Sequence, residues 1–183
     1  MTKVKQKNEI HVFHDDYPCH VWQEWEHTAK IAIIVESNST DFSWADDLPF
    51  SDDESYTKWL DSDIFLCKYP LYIYDHSGIA FSIDNTVYPF SCGWDTALVG
   101  WIYVLKEGNE GMTRSEAKQR LYEDLDQLNI YYREGFLCAD LVDDAGNILN
   151  SIGCYLGEDE LIKAIKEEFP PESHSLISSM RYV

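Results

Sequence analysis

The run TRSEAKQRLYEDLDQLNIYYREG, residues Thr113–Gly135, followed by FLCADLV (Phe136–Val142) and NILNSIGCY (Asn147–Tyr155), decides the fold class. Thr113-Arg114-Ser115-Glu116 is a capping box, with Thr113 as cap and Glu116 as the reciprocal acceptor. Ala117, Leu121, Leu125 and Leu128 then recur at helical spacing, which predicts a helix over about 113–134, and Gly135 is the residue that ends it. Immediately afterwards the pattern changes to that of strands. Phe136–Val142 and Asn147–Tyr155 form a predicted hairpin across Asp143-Asp144-Ala145-Gly146. A second amphipathic helix is predicted over about 158–169 through Leu161, Ile162 and Ile165, stopped by Pro170-Pro171. The tail, Glu172–Val183, fits either coil or an edge strand.

Further strands lie towards the N-terminus. Glu9–His14 alternates, with Ile10 and Val12 on one face and His11 and Phe13 on the other. Asp15–Cys19 is a turn, Val21–Trp25 a short helical turn, and Lys30–Val35 a β-branched strand. Leu71–Tyr74 and Ile79–Ile83 are predicted strands joined by Asp75-His76-Ser77-Gly78, where Gly78 is free to take a positive φ. Val99–Val104 is a further strand in which Gly100 either weakens pairing or permits close backbone approach. Between them, residues 36–63 form an acidic aromatic insertion. It carries nine acids against Lys58 alone, and a short helix is expected over Ser51–Leu60, capped by Ser51 or Asp52, with Tyr56, Trp59 and Leu60 as its apolar stripe. The whole is expected to be one α+β domain over residues 1–183, an antiparallel or mixed sheet layered with helices.

At 183 residues the chain can bury roughly 70 % of its unfolded surface. Two totals stand out: a formal net charge of −19 and an aromatic content of 14 %. Acidity with few aromatics would imply disorder; with many, it implies a packed core under an acidic shell. Such a chain is repelled by nucleic acid, and the only basic cluster is Lys3, Lys5 and Lys7. The acidity either attracts a basic protein partner or serves solubility alone. Five dispersed cysteines, Cys19, Cys67, Cys92, Cys138 and Cys154, include no C-x-x-C pair and read as reduced thiols. The polar N-terminus has no apolar core of a signal peptide, and the longest aliphatic run is Ile31–Val35, so a cytoplasmic protein without membrane attachment is expected.

Four groups of residues are candidates for chemistry. Asp75-His76-Ser77 has the residue types of a nucleophilic triad, but three consecutive residues do not present side chains to one another in that way. A local turn is the plainer account. His11, His14, Asp15, Asp16, Cys19, His20 and His27 are metal-ligating types at spacings that supply no chelate, so neither metal nor cofactor is expected. Cys92-Gly93-Trp94-Asp95 offers a thiol beside His76; alternatively Asp95 caps a turn over Thr96–Leu98 while Trp94 packs inside. Asp46, Asp47, Asp52, Asp53, Glu54 and Trp59 form either a solvated face or a partner-binding surface in which carboxylates meet a basic groove and the aromatic anchors it.

The pattern P-L-Y-I-Y-D-H-S-G (Pro70–Gly78) with P-F-S-C-G-W-D-T-A-L-V-G-W-I-Y-V (Pro89–Val104) resembles a family of small acidic proteins encoded by phages and mobile elements of bacteria. The likeness runs through Tyr72, Tyr74, Asp75, His76, Ser77, Gly78, Pro89, Phe90, Trp94, Asp95, Val99, Gly100, Tyr103 and Val104, and Thr96-Ala97 stands where the family usually has Ser-Gly. The resemblance implies an accessory role in the bacterial host, including counter-defence. It points to an anti-CRISPR inhibitor of a Cas9-type effector, or an inhibitor of a restriction enzyme. The motif residues Asp75, His76, Ser77, Gly78, Trp94 and Asp95 would then build the fold, and the acidic surface would do the binding. A small hydrolase or metal-dependent enzyme using Asp75, His76, Cys92 and Asp95 is the alternative, and a regulatory or structural phage protein that self-associates through its aromatics, as a homodimer, a third.

Overall fold

The computed structural model describes residues 8–15, 20–35 and 41–183. In chain order the elements are β1 (Glu9–His14), α1 (Val21–Glu24), β2 (Lys30–Ile33), α2 (Asp53–Asp61), β3 (Phe65–Asp75), β4 (Ile79–Ser82), β5 (Thr96–Leu105), α3 (Arg114–Glu134), β6 (Phe136–Val142), β7 (Ile148–Leu156) and α4 (Gly157–Glu168). A 3-10 segment over Pro171–Ser179 and a short β8 (Arg181–Tyr182) complete it. The fold is α+β, and its strands divide between two sheets of four. The chain divides into two compact units, residues 1–18 with 133–183 and residues 19–132.

The first unit holds the sheet β7-β6-β1-β8. β1 pairs antiparallel with β6 and parallel with β8, so the tail forms the edge strand that its sequence left open. Ile10 and Val12 of β1, Leu137, Ala139 and Leu141 of β6, and Ile152 of β7 turn one face towards Leu161, Ala164, Ile165 and Phe169, and together they form a continuous apolar core. That core is why α4 lies on this sheet: its apolar stripe has nowhere else to leave water.

The second unit holds the antiparallel sheet β2-β5-β3-β4. β3 begins at Phe65, six residues before the predicted strand, and runs through Pro70. Proline is tolerated here because β4 covers only Tyr72–Asp75, so at Pro70 β3 has a neighbour on one side alone. β5 begins at Thr96, where a turn was expected, because Thr96, Ala97 and Leu98 ladder against Tyr74, Ile73 and Tyr72. Gly100 permits close approach: a Cβ there would lie 2.0 Å from the Ala32 carbonyl oxygen of β2. Gly78 does not use the left-handed region, and a Cβ on it would meet nothing within 4 Å.

Helix α3 begins as its capping box predicts, Thr113 Oγ1 accepting from Glu116 N–H at 3.2 Å and Glu116 Oε2 from Thr113 N–H at 2.8 Å. Gly135 follows it at φ +69°. Ala117, Leu121, Leu125 and Leu128 are buried, as their spacing requires. Asn129 on the same helix accepts from Phe81 N–H at 2.7 Å and donates to Phe81 C=O at 3.0 Å, so one amide side chain holds both backbone groups of that β4 residue. None of the helices among the described residues is long and apolar enough to cross a membrane.

Candidate functional site

Because Tyr74 of β3 lies opposite Thr96 of β5, the loop 83–95 that leaves β4 must return to the β3–β4 turn. There Asp75 N–H donates to the Asp95 carbonyl at 2.9 Å. Cys92 Sγ donates to Asp95 Oδ2 at 3.4 Å, and His76 Nδ1 stands 3.5 Å from Asp95 Oδ1. The structure thus brings Asp75, His76, Cys92 and Asp95 to one corner, with Asp95 at its centre; Ser77 and Gly78 are exposed on the turn. A Cys–His nucleophile requires the thiol to pass its proton to the imidazole. Here thiol and imidazole address opposite oxygens of one carboxylate, which ties the loop to the turn.

That loop is closely bonded. Ser91 N–H reaches Val87 C=O at 3.0 Å, Cys92 N–H reaches Pro89 C=O at 2.9 Å, and Thr96 N–H reaches Cys92 C=O at 3.1 Å. Asp84 Oδ1 accepts from both the N–H and the hydroxyl of Thr86, which holds its carboxyl below the ordinary range. Trp94 is 97 % exposed, which corrects the expectation that it packs inside; the core position belongs to its neighbours Val99, Ile102 and Val104. Asp95 likewise caps no turn over Thr96–Leu98, since those residues are strand. Beside Trp94 lies an open hollow of about 220 Å³, lined by the aliphatic Val35, Ile73 and Val99 and by Asp75, Asp95, Thr96 and Ala97.

The acidic segment divides into structural and solvent-facing members. Asp46 Oδ2 accepts from Ile31 N–H at 2.8 Å and so anchors the segment to β2. Asp52 caps α2: its carboxylate accepts from Ser55 N–H at 2.7 Å, which lowers its pKa, while Ser55 Oγ accepts from Asp52 N–H. Asp47, Asp53 and Glu54 are exposed, and Glu54 pairs with Lys58 at 2.6 Å. Trp59 is 7 % exposed, its ring edge-on to Phe65 at 5.1 Å and Tyr103 at 5.2 Å. It is a core residue, and its expected role as a partner anchor is corrected accordingly: α2 turns its aromatic stripe inwards and its carboxylates outwards.

A second open hollow, about 410 Å³, lies at the start of α3 between Cys67, Tyr69, Arg114 and Lys118. Lys68 also lines it; its amine donates to Leu60 C=O and sits 4.3 Å above the Phe65 ring, and burial lowers its pKa. Cys67 is half-buried, and that burial pushes its thiol pKa up.

The metal-type residues are dispersed among other tasks. Asp16 and Cys19 lie outside the described residues. His11 lies 3.6 Å from Glu9, and His20 stacks on Trp44 at 4.5 Å. Burial lowers the His20 pKa to about 4. Among the described residues no group of three or more His, Cys, Asp or Glu is placed to hold a metal ion.

One network escaped the sequence reading. Asp124, on the buried face of α3, accepts from Thr28 N–H at 3.0 Å and Ala29 N–H at 2.8 Å, and its other oxygen lies 3.6 Å from His27 Nδ1. The His27 ring stacks on Trp22 at 4.1 Å and approaches the Val21 carbonyl at 3.2 Å. Burial opposes its charge, but Asp124 and that carbonyl outweigh it, and the pKa is raised. The signal was present: an acid between Leu121 and Leu125 on an apolar stripe needs a buried partner.

Comparison with family models, curated proteins and solved structures returned no match.

Proposed function

We propose that this chain is a non-enzymatic anti-defence inhibitor. It presents exposed carboxylates on and beside a capped helix to the positively charged nucleic-acid channel of a bacterial nuclease, a Cas9-type CRISPR effector first and a restriction enzyme second. The observation that carries this reading is α2. Its aromatic side chains are committed to a core with Phe65 and Tyr103, while Asp47, Asp52, Asp53, Glu54 and Asp61 all face water within fifteen residues. The unit that contains them, residues 19–132, has twenty acidic residues against seven basic ones. Charges fixed on a capped helix meet a basic groove without first being ordered, which favours association with a channel built for a guide–target duplex. The phage-family resemblance supplies the biological setting for such a partner.

The test is binding of the purified chain to a panel of CRISPR effectors and restriction enzymes across rising salt. A complex that weakens with salt is expected. The variant Asp47→Asn/Asp53→Asn/Glu54→Gln, which leaves the Asp52 cap in place, should slow association and reduce inhibition. Inhibition unaltered by that variant, or no salt-sensitive complex with any effector, would remove the reading.

A second reading, an enzyme at Asp75, His76, Cys92 and Asp95, draws on the meeting of those residues at the Asp95 carboxylate. His76→Ala and Cys92→Ser discriminate: protection of a phage is retained in both if the chain acts by binding, and abolished with the fold intact if it acts by catalysis.

A further inference from the structure

Three large apolar side chains of the loop 83–95 face water, Val87, Tyr88 and Trp94, although hydrogen bonds hold the loop's backbone in place. A loop whose backbone is bonded and whose indole stands in solvent keeps apolar surface available for a partner. The hollow next to that indole supplies the partner's chemistry. Val35 gives it an exposed aliphatic side next to the buried Ile73 and Val99, Asp75 and Asp95 two carboxylates, and Trp94 an aromatic ring. At about 220 Å³ it is smaller than the roughly 300–1,000 Å³ of small-molecule sites, and of a size for one long side chain. We infer that this hollow is a docking pocket for an arginine side chain of a basic protein partner. The aliphatic stem lies on the exposed Val35, the guanidinium joins the contacts that the Asp75 and Asp95 carboxylates already make, and its plane stacks on Trp94. Lysine fits less well, because an ammonium neither stacks nor bonds two acceptors in one plane. A net charge of −19 steers such a partner in. The pocket lies away from α2 in sequence, and the inference does not depend on the partner being a nuclease.

The experiment follows the Trp94 indole N–H by NMR in the full chain, assigned by its loss in Trp94→Ala, during titration with acetyl-Gly-Arg-Gly-amide and its lysine and citrulline counterparts. A saturable shift with the arginine peptide is expected, at least about fivefold weaker with citrulline. Peptide binding, read from the Thr96 and Ala97 amides, should weaken at least about fivefold in Asp75→Asn and in Trp94→Ala. Since the Trp94 side chain is exposed, Trp94→Ala keeps the test decisive if Asp75→Asn fails to fold. Absence of a saturable shift, an equal response to citrulline, or binding unaffected by Trp94→Ala overturns the inference. So does a shift that appears on concentrating the protein alone, which would make a second copy the occupant. The α2 variant should bind the arginine peptide normally, so failure of the inhibitor reading and failure of this one remain separable.

Discussion

Replacing Gly100 with alanine tests how the second sheet is held together. The added Cβ would sit 2.0 Å from Ala32 O and 3.0 Å from both Ala32 C and Ile33 Cα. Ordinary contact begins near 3.4 Å, so the overlap with the oxygen is about 1.4 Å deep. All three atoms belong to backbone, and no rotamer change relieves them. β2 must move off β5, which breaks the pairing of Ala32 with Trp101 and Ile33 with Gly100. Overpacking costs about 1–3 kcal/mol, and two lost ladder bonds cost about 0.5–1.5 kcal/mol each, for a sum of about 2–6 kcal/mol. At about 2–4 °C per kcal/mol for a chain of this length, a Tm drop on the order of 10 °C follows. Thermal melts by circular dichroism read the loss, and amide exchange at Ile31–Ile34 locates it; local exchange is needed because two compact units need not melt together. Gly78→Ala is the control and should shift stability by no more than about 1 kcal/mol, its Cβ having open space. A Gly100→Ala protein melting within about 2 °C of the parent, with β2 amides still protected, would refute the argument.

Other predictions concern the buried polar groups. Asn129→Ala should cost about 1–3 kcal/mol in urea denaturation, because Phe81 loses the partner of both its N–H and its C=O. His20, lowered from 6.5 to about 4 by burial, binds protons more readily unfolded than folded. Its contribution is therefore complete above pH 6.5 and lost as pH falls towards 4, a slope that denaturation midpoints should show and His20→Phe should flatten. His27 has the opposite sign: with its folded pKa raised, its ion pair stabilises fully below 6.5 and fades as pH rises through the raised value. Asp124→Asn keeps an acceptor for Thr28 and Ala29 but should abolish that fade in denaturation midpoints between pH 5.5 and 8.5. His76→Ala, at a side chain 66 % exposed, should leave stability within about 0.5 kcal/mol; a larger loss in the same assay would make His76 a structural residue of the corner.

The helices were legible because their signals are local. Thr113 and Glu116 lie three residues apart, and Asp52 lies three from Ser55, so cap chemistry reads directly from the string. The strands were legible in kind but not in extent. Thr96–Leu98 has no strand signal of its own and becomes strand only because Tyr72–Tyr74 offers a ladder more than twenty residues away. Pro70 reads as a breaker unless β4 is known to stop at Tyr72. At the candidate site, grouping Asp75, His76, Cys92 and Asp95 was within reach, since a short loop must return to the turn it left. The directions of Trp59 and Trp94 were not. Both are tryptophans among polar neighbours, and only the packing of α2 against Phe65 and Tyr103, and of Val99 rather than Trp94 beneath the loop, sends one inwards and the other out.

The amide of Asn129 has a consequence for the company this chain keeps. β4 is the last strand of its sheet, and a terminal strand ordinarily offers unclaimed backbone groups on which another polypeptide can continue the ladder. At Phe81 that offer is withdrawn, because a helix side chain already holds the donor and the acceptor that an arriving strand would need. At that rung Asn129 acts as a one-residue strand, and an arriving chain would have to displace its amide before pairing with Phe81.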